Sequence, residues 1–200
     1  MERDLGDRRR ELLSGLSGRV LELGAGNGMN FGHYPGAVEE VVAVEPEPYL
    51  RARAQPAAQA ASVHIVVEDA IADELPHAAG SFDAVVACLV LCSVPDPGRA
   101  LAELGRVLKP QGELRFLEHV RSSSSRKARV QHTLDRGLWP AIAGGCHCAR
   151  DTAAVMTSAG FAIEQIRDID LGPAWMHTNP HVLGVARVRP RRVPGPAPTS

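Results

Sequence analysis

Aromatic residues are scarce in this chain, at 4% of 200 residues. Long apolar runs are missing too. The longest, "FDAVVACLVLCSV" (82–94), is too short to cross a bilayer and meets Pro95. It reads as a buried strand running into a loop. The opening "MERDLGDRRRELLSGL" carries charges where a secretory signal needs an apolar stretch. Neither a signal nor a membrane anchor is therefore expected. Four cysteines in a chain of this size make no disulfide framework, so reduced thiols and a cytoplasmic setting are expected. An excess of one charge is lacking as well. The formal net charge is -1, which removes any general electrostatic reason to bind nucleic acid or an anionic membrane. Arginines gather in "DRRR" and "RVRPRRV", and both read as solvated termini.

What is present is a soluble globular composition, 44% hydrophobic and 22% charged, with enough chain to bury a core. Leu5, Leu12, Leu13 and Leu16 among charges predict an amphipathic helix over residues 5–16. "RVLEL" (19–23), "EVVAVE" (40–45), "VHIVV" (63–67) and "SFDAVVACLV" (81–90) predict four strands. Their apolar runs are nearly continuous, as in a parallel sheet covered on both faces. Between them, "PYLRARAQ" predicts a helix that Pro56 should end or kink. "DPGRALAELGRVL" predicts another, with Asp96 as N-cap, Pro97 in the first turn, and Leu101, Leu104, Val107 and Leu108 on one face. "KPQG" should stop it before a fifth strand, "ELRFLEHV" (113–120). Residues 120–148 fit the alternation poorly and read as an insertion with a helix at 126–138. "DTAAVMTSAG" predicts a helix between Asp151 and Gly160, and "FAIEQIRDIDL" and "HVLGVARV" an antiparallel pair at one sheet edge. The expected fold is α/β: an open, doubly wound, mostly parallel sheet. One domain (1–189) and a Pro-rich disordered tail (190–200) complete the expectation.

The stretch "VLELGAGNGMNFGHYP" (20–35) places Gly24, Gly26 and Gly28 within five residues, directly after the first strand. In an open α/β sheet, ligands bind beyond the carboxyl ends of the strands. Glycines there let the backbone turn sharply and approach a ligand closely. A dinucleotide fingerprint needs Gly-x-Gly-x-x-Gly, and Met29 occupies its third glycine position. Glu45, closing the second strand, suits a pair of ribose hydroxyls but does not discriminate between nucleotide ligands. A plain turn plus a surface acid explains these residues equally well.

The spacing Gly-x-Gly-x-Gly, preceded by Glu22, resembles the first motif of class I S-adenosylmethionine (SAM)-dependent methyltransferases. "VVEDA", "GSFDAVVACLVLCSV" and "ALAELGRVLKPQGELRFLEHV" resemble that family's later segments in order, over residues 19–120. "PQG" stands where the family usually reads Pro-Gly-Gly. The resemblance implies a seven-stranded sheet with SAM as cofactor. Glu22, Gly24, Ala25, Gly26, Gly28 and Asn30 would shape its site, Glu45 and Pro46 would meet the ribose, Asp69 and Ala70 the adenine, and Leu89 and Cys92 would adjoin the cofactor. "NFGHYP", "LVLCSV", "FLEHV", "GGC" and "NPHVLGVA" are similar to segments of the methyltransferase type 11 group that includes thiol S-methyltransferases and extend the likeness to about residue 188. A small-molecule acceptor, with a thiol leading, is what this implies.

Methyl transfer from a sulfonium is an in-line displacement, so the protein chiefly aligns two reactants and excludes water. His119, at the end of the fifth strand, is the first candidate for an acid, base or orienting group; a histidine bonded to backbone is the plainer reading. His181, before the last strand, is the second. Strand alternation should put Glu118 and His119 on opposite faces. Cys92 suits packing or cofactor contact. Cys146, His147 and Cys148 are too closely spaced for a structural zinc site, and no metal is expected. Trp139, Trp175 and Met176 are candidates for an acceptor cover or for ordinary core. The alternatives are a nicotinamide-dependent oxidoreductase and a SAM-binding domain without chemistry.

Overall fold

The computed structural model describes residues 2–173, Met176 and residues 179–189. The segment 190–200 and Trp175 lie outside the described residues. Helix α1 (Glu2–Leu13) precedes strand β1 (Gly18–Leu23). Then come β2 (Val38–Val44), α2 (Pro48–Gln59), β3 (His64–Glu68), β4 (Phe82–Cys88), α3 (Pro97–Val107) and β5 (Leu108–His119). Helices α4 (Ser125–Asp135), α5 (Trp139–Ile142) and α6 (Thr152–Ser158) lead to β6 (Phe161–Asp170) and β7 (Pro180–Val188). The sheet order is β3-β2-β1-β4-β5-β7-β6. The first five strands pair in parallel, and β7 runs antiparallel to both β5 and β6. The antiparallel pair forms one edge of the sheet, with the reversed strand one position in and β6 at the rim.

The near-continuous apolar runs have a direct structural reading. Successive residues of a strand face opposite sides, and here both sides are covered. Leu21, Leu23, Val42, Val44, Leu114 and Phe116 pack with Leu101 and Leu104 of α3. Val20, Val41, Ala43, Val86 and Leu117 pack on the other side with Leu12 and Leu13 of α1 and Ala54 of α2. Asp96 and Asp151 cap α3 and α6, each accepting an N–H from three residues ahead, Arg99 and Ala154. Such caps contribute about 1 kcal/mol each.

Four boundaries differ from the sequence expectation. Helix α1 begins and ends three residues early, and Leu16 is buried in the turn beyond it. Helix α2 runs through Pro56 to Gln59. The proline sits on the exposed face, while Ala54 and Ala58 face the core. The Ala52 carbonyl, left without its helical N–H, is also on the exposed face and keeps access to water. Strand β5 starts at Leu108, directly from α3, and its register with β4 shifts between Phe82 and Ala84. Lys109 to Gly112 belong to this irregularity rather than to a separate loop. Gly112 is needed there by close approach: a Cβ would stand 3.0 Å from the Asp83 and Lys109 carbonyls. Gln111 is not among the left-handed residues, so "PQG" carries no such backbone strain at that position. The expected helix at 126–138 is instead α4, ending at Asp135, followed by the single turn of α5.

The segment after β5 is tied down at several points. Buried Gln131 accepts from the Ser122 N–H at 2.7 Å and donates to the Val120 carbonyl at 3.2 Å. The Asp135 carboxylate accepts from the Cys148 and Ala149 N–H groups at 2.8 and 2.9 Å. Arg150 donates to the carbonyls of Leu91 and Val94. These contacts bring residues 144–150 back against the chain that leaves β4.

Candidate active site

The strand order reverses between the parallel neighbours β1 and β4, and the glycine loop leaves β1 at that point. Gly24, Gly26 and Gly28 have φ of +62°, +57° and +83°, a region that side chains resist. Their surroundings differ. A Cβ on Gly24 would collide with Val90, and one on Gly28 would stand 2.7 Å from the Phe31 ring. A Cβ on Gly26 would meet no atom within 4 Å. Gly26 borders a cavity of about 590 Å³, which Leu23, Gly24, Glu45, Pro46, Ala70 and Leu89 also line.

Glu45 follows β2 and is buried. Its carboxylate accepts the Gly26 N–H at 2.8 Å and the Glu47 N–H at 3.0 Å. Two backbone donors thus fix its plane against the glycine loop. A carboxylate has about four lone-pair sites, so two remain for hydroxyls. Leu89 also carries strain, with φ of +59° directly after β4. Its N–H is held by the Leu117 carbonyl at 2.7 Å. Beyond it, the Val90, Leu91 and Cys92 N–H groups all donate to the Glu118 carboxylate, at 3.0, 3.0 and 3.2 Å. Burial pushes the Glu118 pKa well above the usual carboxylate range, and these donors pull against it. One side chain of β5 therefore sets the path of the cavity wall made by Leu89 and Val90.

Other singled-out residues stand behind or beside this cavity. Glu22 is buried on the α1 side, where Asn30 donates to it at 2.9 Å and Tyr34 at 2.7 Å. Burial raises its pKa to about 7 against those bonds. Arg9 of α1 reaches Asn30 and the Cys88 sulfur, so this arginine of "DRRR" is an internal group, whereas Arg8 and Arg10 pair on the surface with Glu11 and Asp7. Glu22 and Asn30 thus brace the loop from below, with Ala25 and Gly28 in the turn between them. Ala25 donates its N–H to the Val44 carbonyl at 3.1 Å. Ala70 lines the cavity, but the exposed Asp69 carboxylate pairs with Arg51 at 2.8 Å. Cys92 is buried with its sulfur near the Ser93 hydroxyl, and Ser93 lines the cavity.

The two histidines come together. His119 and His181 are paired across β5 and β7, their rings stacked with centroids 5.1 Å apart. The His181 Nδ1 lies 2.7 Å from the Asn179 carbonyl, an acceptor only, so Nδ1 carries the proton and Nε2 the lone pair. Burial lowers the His181 pKa to about 4. The His119 Nδ1 lies 3.4 Å from the Cys146 sulfur. This contact is not legible from sequence spacing, because it depends on how residues 120–148 return. Glu118 faces the Val90, Leu91 and Cys92 amides, whereas His119 faces Cys146. Among the described residues, no group of three or more His, Cys, Asp or Glu side chains is arranged to hold a metal, and no helix is long and apolar enough to cross a membrane.

A strand order reversing at a glycine loop, with a fixed carboxylate at the end of the next strand, is the arrangement of an open α/β fold whose ligand site lies at the carboxyl ends of its strands. The family model described as "Methyltransferase domain" matches residues 21–116. The chain belongs to the class I SAM-dependent methyltransferases and is a methyltransferase of that family. It is 35% identical over 180 residues to thiol S-methyltransferase TMT1B of Mus musculus, covering 87% of this chain and 73% of that protein. It is 33% identical over 194 residues to thiol S-methyltransferase TMT1A of Homo sapiens, covering 91% and 79%. Among solved structures, the [4+2]-cyclase SpnF superposes with a TM-score of 0.72 at 21% identity, over 92% of this chain and 80% of that one, a likeness of fold alone. The oxidoreductase alternative is not favoured.

Proposed function

We propose that the cavity beside the glycine loop binds SAM and that the methyl group passes to a small, apolar thiol. The fixed Glu45 carboxylate carries this reading: it lines the cavity with two lone-pair sites left for the ribose hydroxyls. The open space at Gly26 suits the amino-acid end of the ligand, with Gly24 beside it. Pro46 adjoins the ribose, Asp69 and Ala70 flank the adenine end, and Leu89 closes the wall. Glu22, Ala25, Gly28, Asn30 and Cys92 act indirectly, by holding the loop and wall in place. When bound, SAM supplies an already activated methyl group.

The acceptor side is assigned to His119 and His181, which stand outside the lining of the SAM cavity, His181 bordering a separate cavity of about 400 Å³ beside Val120 and Pro180. A thiol needs little activation, since its ordinary pKa near 8.5 leaves a small thiolate fraction at neutral pH. His181 is neutral above about pH 4 and presents a lone pair at Nε2, so it orients the acceptor rather than setting the pH profile. The rising limb of kcat/KM with pH should therefore follow the pKa of the thiol offered, moving as one thiol replaces another. A limb fixed near one pH for all acceptors would remove this assignment. The names of the thiol S-methyltransferase relatives support the acceptor class.

The direct test is S-adenosylhomocysteine release across thiols, phenols, amines and quinols, with turnover expected on thiols. Calorimetry should show SAM binding, weakened tenfold or more by Glu45→Ala on the order of two lost hydrogen bonds. Unchanged affinity in that variant would reject the ribose role. No binding by folded wild-type protein would reject the cofactor site.

A further inference from the structure

The segment that returns after α5 lies against the chain leaving β4 at two cysteines. The His147 N–H donates to the Cys92 carbonyl at 2.8 Å. Next to it, Gly145 fits so closely that a Cβ would stand 3.1 Å from the Ser93 carbonyl. This seam sets Cys146 beside Cys92, with the Cys92 sulfur next to the Ser93 hydroxyl at 3.6 Å and the Cys146 sulfur next to His119. Their environments are unequal. Cys146 is half-buried, and its sulfur faces His119 Nδ1 at 3.4 Å. Cys92 is buried behind it. The other two thiols are placed elsewhere: Cys88 faces Arg9, and Cys148 donates to Asp135 at 3.0 Å.

We propose that Cys146 and Cys92 form a reactive dithiol that reduces small disulfides, with Cys146 attacking and Cys92 resolving. In the first step the Cys146 thiolate attacks one sulfur of a disulfide RS–SR. A Cys146–S–SR bond forms, the RS–SR bond breaks, and RS⁻ leaves. In the second step Cys92 attacks the Cys146 sulfur. The Cys92–Cys146 bond forms, the second RS⁻ leaves, and the Cys92 proton passes to a departing thiolate. Two protein thiols are oxidised and one small disulfide is reduced to two thiols, the other RS⁻ taking from solvent the proton that Cys146 released on ionising.

The order of attack follows from access: Cys146 is half-buried and faces His119, whereas Cys92 is buried. The hydrogen bond from Cys92 lowers the Cys146 pKa, the direction that makes a thiolate nucleophile. The same bond is the largest cause pushing Cys92 up, followed by burial. Cys148 stays a poor competitor, held at about 12 by burial and by its bond to Asp135.

The inference needs neither a methyl donor nor a thiol acceptor, so its test is separate from that of the methyl-transfer reading. The reduced full chain is treated with bis(2-hydroxyethyl) disulfide, remaining thiols are alkylated, and the peptides are mapped by mass. In the wild type a Cys92–Cys146 cross-link is expected, reversed by dithiothreitol. Cys92→Ser should accumulate the mixed disulfide on Cys146. Cys146→Ser should lose the fast phase, leaving thiols that react slower by about tenfold or more. Circular dichroism checks that each variant is folded, and the wild-type map decides the matter alone if one is not. Absence of the cross-link in the wild type, or first reaction at Cys88, Cys92 or Cys148, would overturn the proposal.

Discussion

Glu22 and His181 are buried groups whose neutral forms the fold prefers, and their pH effects on stability have opposite signs. Glu22 holds its proton up to about pH 7 in the folded state, whereas the unfolded chain releases it near 4.5. The folded state therefore binds more protons between those values, and stability falls as pH rises through this window. His181 is neutral down to about pH 4 when folded but takes a proton near 6.5 when unfolded. Here the unfolded state binds more protons, and stability rises with pH from about 4 to 6.5. The two slopes largely cancel in the wild type. Glu22→Gln should expose the rising slope and His181→Asn the falling one, each amounting to a few kcal/mol across its window. Thermal midpoints measured from pH 4 to 8 would show both. Parallel profiles in the two variants would contradict the assignment. At the same scale, two glycines separate fold from binding. Gly24→Ala meets Val90 as well as a left-handed backbone, so it should unfold readily. Gly26→Ala bears only the backbone cost, about 1 kcal/mol, but places a methyl in the cavity. It should fold and bind SAM weakly, as calorimetry beside a thermal melt would show.

Helix α2 is the element most at odds with its own sequence. Pro56 breaks its hydrogen-bond ladder without ending it, because the packed alanines lie on the opposite face. Pro56→Ala would restore the N–H to the Ala52 carbonyl. An interior proline costs about 3 kcal/mol, and roughly 1 kcal/mol of that returns through the stiffer unfolded chain. The variant should gain about 1–2 kcal/mol, read as a rise of several degrees in Tm. Local signals were otherwise sufficient for most elements. The strands announce themselves through apolar runs covered on both faces, and α3 and α6 through Asp96 and Asp151, whose caps are local chemistry. The early start of β5 is not local, since it depends on Gly112 approaching the carbonyl of Asp83 across the sheet. The glycine loop and Glu45 are legible for the same reason as the caps: the next strand ends beside the loop in any such sheet. The His119–Cys146 contact and the internal role of Arg9 are not, because residues far apart in sequence meet only after folding.

Across the whole molecule, order should decline from the sheet centre toward the antiparallel rim. Strands β1 and β4 have neighbours on both sides and core on both faces, whereas residues 164–168 of β6 are exposed at the edge. Hydrogen exchange should be slowest in β1 and β4 and faster in β6 by several orders of magnitude, reflecting opening free energies from small local values to the global one. Equal protection in the two regions would contradict this gradient. The wall beyond β4 hangs on one carboxylate of β5, Glu118, through three backbone amides. A change in Glu118 would release those amides and shift the Leu89–Val90 wall of the cavity, although the residue itself lies on a different strand. Residues 120–148 are pinned by Gln131, Asp135 and Arg150, so substitutions at the exposed positions between those pins leave this wall in place.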